Sequence, residues 1–158
     1  MNLLSPSTHL LLVLLMPLVG AGIIWLVSNR GLEAVRTSAA TTAVLTLIAT
    51  GWLILRYLMS SEASSNEVFA MASLPWLTGG MFDIRLSIGL DGLSLWLFGL
   101  SALLSVTAIF VSWEAVTERA AGFYMLLLLL EAAMLGVFVA RDIILFYVFF
   151  EFTLVPLF

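Results

Sequence analysis

Long apolar runs separated by short polar links make up most of this chain, a pattern that predicts helices crossing a membrane. Segment one covers about residues 10–27 and segment two about 37–59, each near the roughly 20 residues that span a hydrocarbon core. Pro17 interrupts segment one and frees the carbonyl of Val13, which a neighbouring helix can cover. Residues 28–36 read as a polar link. In segment two, Arg56 in the last turn can snorkel outward, while Gly51, Ala39, Ala40, Ala43 and Ala49 suit close helix packing.

From 60 to 87 the pattern leaves the membrane. Residues 60–67 form a polar tip. Beyond it, residues 82–88 alternate apolar and polar positions, the period of a half-buried strand. Residues 68–77 are its expected partner, with Gly79-Gly80 as the turn and Pro75 restricting that partner to a sheet edge. A small hairpin on the membrane face follows. Segment three, about 93–111, opens at Asp91-Gly92-Leu93-Ser94, where Asp91 is most simply a helix cap. Trp113 belongs to an aromatic belt. Residues 114–121 form the next link, and segment four covers about 122–140. Arg141-Asp142 is the whole turn before segment five, with Asp142 as N-cap and Arg141 reaching toward the headgroups. Segment five, about 142–158, is shorter than a full span, so the chain is expected to be part of a longer polytopic protein. The fold class expected is therefore an all-α polytopic membrane protein. It would have four transmembrane helices, most of a fifth, and an extramembrane β-hairpin between helices two and three.

Composition agrees. Of 158 residues, 63% are hydrophobic and 10% charged, with mean hydropathy +1.18, whereas soluble domains are about 25% charged. The N-terminus lacks the basic region and small-x-small site of a cleavable signal. A formal charge of −4 gives no reason to expect nucleic acid as a partner. With no cysteine and one histidine, His9, the chain is expected to bind neither metal nor redox cofactor. All six basic residues are arginines. Arg30, Arg36 and Arg119 fall on one side and Arg56, Arg85 and Arg141 on the other, a tie that leaves orientation open under the positive-inside rule.

Against this apolar background two acids stand out, Glu131 in segment four and Glu151 in segment five. A charge at the bilayer centre costs about 2.5–3.5 kcal/mol on insertion scales, so intramembrane acids mark ion or proton paths by default. Counted from the Arg141-Asp142 turn, both lie roughly 13–15 Å below the same interface at about 1.5 Å per residue. Burial favours the neutral form of a carboxyl, and a nearby cation favours the charged one. A group held between the two influences can act as a proton relay. Tyr147 precedes Glu151 by one turn on the same face and can hydrogen-bond it. Pro156 leaves the Phe152 carbonyl free beside Glu151. The blander alternatives stay open: an acid satisfied inside a bundle without transport, a contact to a neighbouring subunit for Glu131, and a packing kink for Pro156.

The segment from Asp142 to Pro156, Asp-Ile-Ile-Leu-Phe-Tyr-Val-Phe-Phe-Glu-Phe-Thr-Leu-Val-Pro, closely resembles the fifth-helix motif of the chain M family of bacterial NADH:quinone oxidoreductase (respiratory complex I), the counterpart of mitochondrial subunit 4. Ile88-Gly89-Leu90-Asp91-Gly92-Leu93-Ser94 is similar to the motif opening that family's third helix, and Met134 to Ala140 to the end of its fourth. The resemblance implies a proton-translocating, antiporter-like subunit of a bacterial inner membrane, with a periplasmic N-terminus. Its partners would be the lipid bilayer and the other membrane-arm subunits of the L and N type. NADH, FMN, iron–sulfur clusters and quinone would belong to partner subunits. Glu151 matches the family's fifth-helix glutamate, which pairs with a lysine on its seventh helix; Glu131 matches no invariant site. The D-type component of multisubunit Na⁺/H⁺ antiporters and the membrane subunits of related hydrogenase complexes share the module. A membrane anchor for a peripheral enzyme is the rival from another class.

Overall fold

The computed structural model describes residues 5–60, 68–78 and 83–157. Five α-helices and one hairpin follow in the order α1 (Pro6–Val27), α2 (Leu32–Leu58), β1 (Phe69–Thr78), β2 (Asp83–Leu90), α3 (Gly92–Ala115), α4 (Ala120–Val139) and α5 (Ile143–Leu154). By length and composition the first four helices are long and apolar enough to cross a membrane.

Helices α1 to α4 form an up-and-down bundle. α1 packs on α2 and α4, α3 packs on α2 and α4, and α2 also meets α4 across the bundle; α5 lies against α4. Helices α1, α2 and α3 extend beyond their apolar runs, so that the unpaired end groups of each fall among polar flanking residues. The expected link at 28–36 is therefore mostly helical. A 3₁₀ turn occupies Ser28–Arg30, Gly31 takes φ 107°, and α2 starts at Leu32. Arg36, counted above as a link charge, is buried; it donates to Glu33 at 3.3 Å and to the Val116 carbonyl at 3.2 Å. Its guanidinium lies 6.0 Å from the centroid of the Trp113 ring, tying α2 to the end of α3. Gly51, expected at a helix contact, faces outward with open space around its Cα. Gly20 makes such a contact instead: a Cβ there would collide with the Thr42 side chain, so α1 and α2 approach closely.

The hairpin is antiparallel, with register shifts at Phe69/Ala72 and Pro75/Leu77. Ala70 adopts φ 57° at the first of these irregularities, and Pro75 borders the second, where a missing N–H is tolerated. The expected Gly79-Gly80 turn and the polar tip at 61–67 lie outside the described residues. Phe69, Ala70, Ile88 and Leu90 join Leu10, Val13, Leu53, Leu95, Phe98 and Val139 in one apolar cluster, so the hairpin plugs one end of the bundle.

Asp91 caps α3 in a full capping box: its carboxylate accepts from Ser94 N–H at 2.7 Å, and the Ser94 hydroxyl accepts from Asp91 N–H at 2.9 Å. Asp142 caps α5 by accepting from Ile144 N–H. Arg141, expected near the headgroups, is exposed and also makes contacts within the chain. Its guanidinium donates to Asp91 at 3.2 Å and its backbone N–H to the Ser87 carbonyl at 2.9 Å, beside an Ile88–Ala140 bridge. The strand thus recruits the α4–α5 turn, because that turn offers a free N–H at the sheet edge.

Candidate functional site: two intramembrane acids

The two acids occupy opposite environments. Glu131 is 0% exposed, and neither carboxyl oxygen has a hydrogen-bond partner among the described residues. Leu128 and Leu135, within one turn on either side, belong to different apolar clusters, so Glu131 sits at the seam between them. Glu151 is exposed on the surface of this set of helices. The cause is the seating of α5. Phe149 packs its ring onto Gly136 of α4, where a Cβ would overlap it, and residue 151 lies about 200° further round the helix at 100° per residue. Tyr147, 59% exposed, shares that outer face, and its hydroxyl interacts with the Glu151 side chain. The helix then tightens into a 3₁₀ turn at Val155–Leu157 around Pro156, which locates the break one turn past Glu151.

The structure thus brings Tyr147 to Glu151 and turns Glu131 into the bundle. Sequence reasoning missed the polar residues that accompany Glu131 in the core: Thr46 and Thr50 on α2, and Ser101 and Ser105 on α3, all buried. Their spacing of four is a signal that could have found them, since hydroxyls one turn apart share a helix face. No group of three or more histidine, cysteine or acidic residues suited to a metal occurs among the described residues.

The fold and its acids define a class: a polytopic membrane bundle with ionisable groups at mid-helix, capped at one end by a hairpin. No family model matches the chain. It is 33% identical over 147 residues to F(420)H(2) dehydrogenase subunit M of Methanosarcina mazei, covering 93% of this chain and 28% of that one. Identity to NADH-quinone oxidoreductase subunit M is 30% in Escherichia coli, over 92% of this chain and 29% of that protein. It is 31% in Rhodobacter capsulatus, over 99% and 28%. The chain is thus similar over most of its own length to proteins named subunit M, and it spans less than a third of theirs. One chain of a solved archaeal respiratory complex, the membrane-bound sulfane sulfur reductase, shares the fold at TM-score 0.60 and 18% identity, over 91% of this chain and 21% of that one.

Proposed function

We propose that the whole protein is a membrane-arm subunit of a bacterial NADH:quinone oxidoreductase and carries protons across the inner membrane. Electrons pass from NADH to quinone through FMN and iron–sulfur clusters in partner subunits. The observation that carries the reading is the outer face of α5. Glu151 and Tyr147 stand together there, turned away from α4, in a chain similar to subunit M proteins over nearly all its length. An acid on an unpaired face of an apolar helix needs a partner within the membrane. A cationic side chain from further helices or subunits, approaching and withdrawing, would favour the carboxylate and then the neutral acid in turn. Each cycle takes one proton from one side and releases it to the other, with Tyr147 orienting the carboxyl and Glu131 as an accessory site. The neighbours would be antiporter-like subunits of the L and N type, and the N-terminus would be periplasmic.

Relatives named for F(420)H(2) and for NADH fit a chain that moves protons while the electron donor is chosen elsewhere. The test is Glu151→Gln in the full-length protein within its assembled complex, reconstituted in vesicles. NADH-driven proton pumping should be abolished or strongly reduced. Pumping at the wild-type rate with normal assembly would overturn the role of Glu151. Proton pumping driven by another donor, without NADH oxidation, would overturn the NADH assignment alone.

A further inference from the structure

The interior of the α1–α4 bundle is divided into three layers. The apolar cluster under the hairpin contains Leu14, Leu53, Ala102 and Leu135, one from each helix, and the far cluster contains Ala21, Ala43, Ile109 and Leu128. Between these markers the buried residues include Pro17 and Gly20 on α1, Thr46 and Thr50 on α2, Ser105 on α3 and Glu131 on α4. Each helix therefore places its polar or backbone-breaking residues at the same level, near its own midpoint. Thr46 and Ser105 donate to carbonyls of their own helices, at 3.0 Å in both cases, and each keeps an acceptor lone pair. Pro17 cannot donate to the Val13 carbonyl, which is left for another partner. The Thr50 hydroxyl and both Glu131 oxygens are buried without a partner among the described residues.

We propose that this middle layer is a hydrated proton-holding site, in which the neutral carboxyl of Glu131 and the hydroxyl of Thr50 bind water. The chemistry is specific. A buried carboxyl without a cation beside it is carried as the acid; among the described residues Arg36 is the buried arginine, and it belongs to the far end with Glu33 and Val116. An acid O–H and a hydroxyl donate, while the second carboxyl oxygen, the Val13 carbonyl and the remaining hydroxyl lone pairs accept. A buried water needs two to four such partners, and groups of this kind stand at this level on all four helices. Direct pairing within each helix already employs Thr46 and Ser105, so water satisfies Glu131 and Thr50 without disturbing those bonds. The site deepens the accessory role of Glu131 proposed above, but its hydration stands independently of transport through Glu151.

The experiment is infrared difference spectroscopy on the full-length protein in its assembled complex, in H₂O, D₂O and H₂¹⁸O. A protonated-carboxyl C=O band, present in the wild type and absent from Glu131→Gln, is expected. Thr50→Val, which leaves the acid in place, should move that band toward weaker hydrogen bonding. Both variants should lose a bound-water O–H band that shifts in H₂¹⁸O. Absence of any protonated-carboxyl band assignable to Glu131 overturns the proposal. So does a band at the free-carbonyl position that Thr50→Val does not move, the mark of a dry acid. Glu151→Gln should leave these bands in place while stopping pumping, so failure of the hydrated site and failure of the transport reading are seen separately.

Discussion

Gly136→Ala tests the contact that aims Glu151. A Cβ at Gly136 would overlap one edge of the Phe149 ring, meeting Cγ, Cδ1 and Cε1 together. Relief therefore requires the whole ring, and with it α5, to retreat by roughly 1–1.5 Å to regain ordinary contact distances. Overpacking of this kind costs about 1–3 kcal/mol. Against it stands the better helix propensity of alanine, up to about 1 kcal/mol, so a net loss of roughly 0–2 kcal/mol is expected. Gly22, in α1 with nothing near its would-be Cβ, is the control: Gly22→Ala should show the propensity gain alone. Because Glu151 follows Phe149 by two residues, the displaced helix also misplaces its carboxyl, and displacements of about 1 Å can cost up to ~10²-fold in rate. The assays are thermal stability of the assembled complex in detergent and protons pumped per NADH oxidised in vesicles. Phe149→Leu in the Gly136→Ala background should restore part of both, with a coupling of about 0.5–3 kcal/mol in the stability cycle. Strict additivity of the two substitutions, or Gly136→Ala matching Gly22→Ala, would refute the reasoning.

Asp91→Ala should destabilise the complex by about 0.5–2 kcal/mol through loss of the α3 cap. Arg141→Ala should cost less, about 0.2–1 kcal/mol, because that ion pair is solvent-accessible; a reversed order in thermal melts would show the pair to outweigh the cap. The Asp91 carboxyl is held below the usual carboxylate range, first by the Ser94 backbone N–H, then by the Ser94 hydroxyl and Arg141. A group depressed in this way adds stability that is complete above its unfolded value, about 3.9, and is lost as pH falls through the lower folded value. Acid melts should therefore weaken wild type more than Asp91→Asn below about pH 4, and parallel curves would contradict this. Gly31→Ala meets open space but a φ of 107°, so it should cost about 1 kcal/mol or more in backbone strain. An unchanged melting temperature would show that the α1–α2 link relaxes freely.

The order of elements was legible along the chain because apolar run length and polar caps act locally. Asp91 and Asp142 cap the helices they precede, and most of the alternating stretch lies in the strand Asp83–Leu90, paired with the residues before it. Which way each helix faces depends on contacts between runs that are apolar on nearly every side, where periodicity carries little signal. Packing therefore decided that Glu131 is enclosed while Glu151 looks outward, that Arg36 is buried, and that Arg141 joins the hairpin and Asp91. The buried hydroxyls of α2 and α3 were visible as a spacing of four, but only the seating of the helices brings them to the level of Glu131. Local chemistry was set by residue type; partnership was set by the seating of Thr42 on Gly20 and of Phe149 on Gly136, which no single stretch of sequence contains.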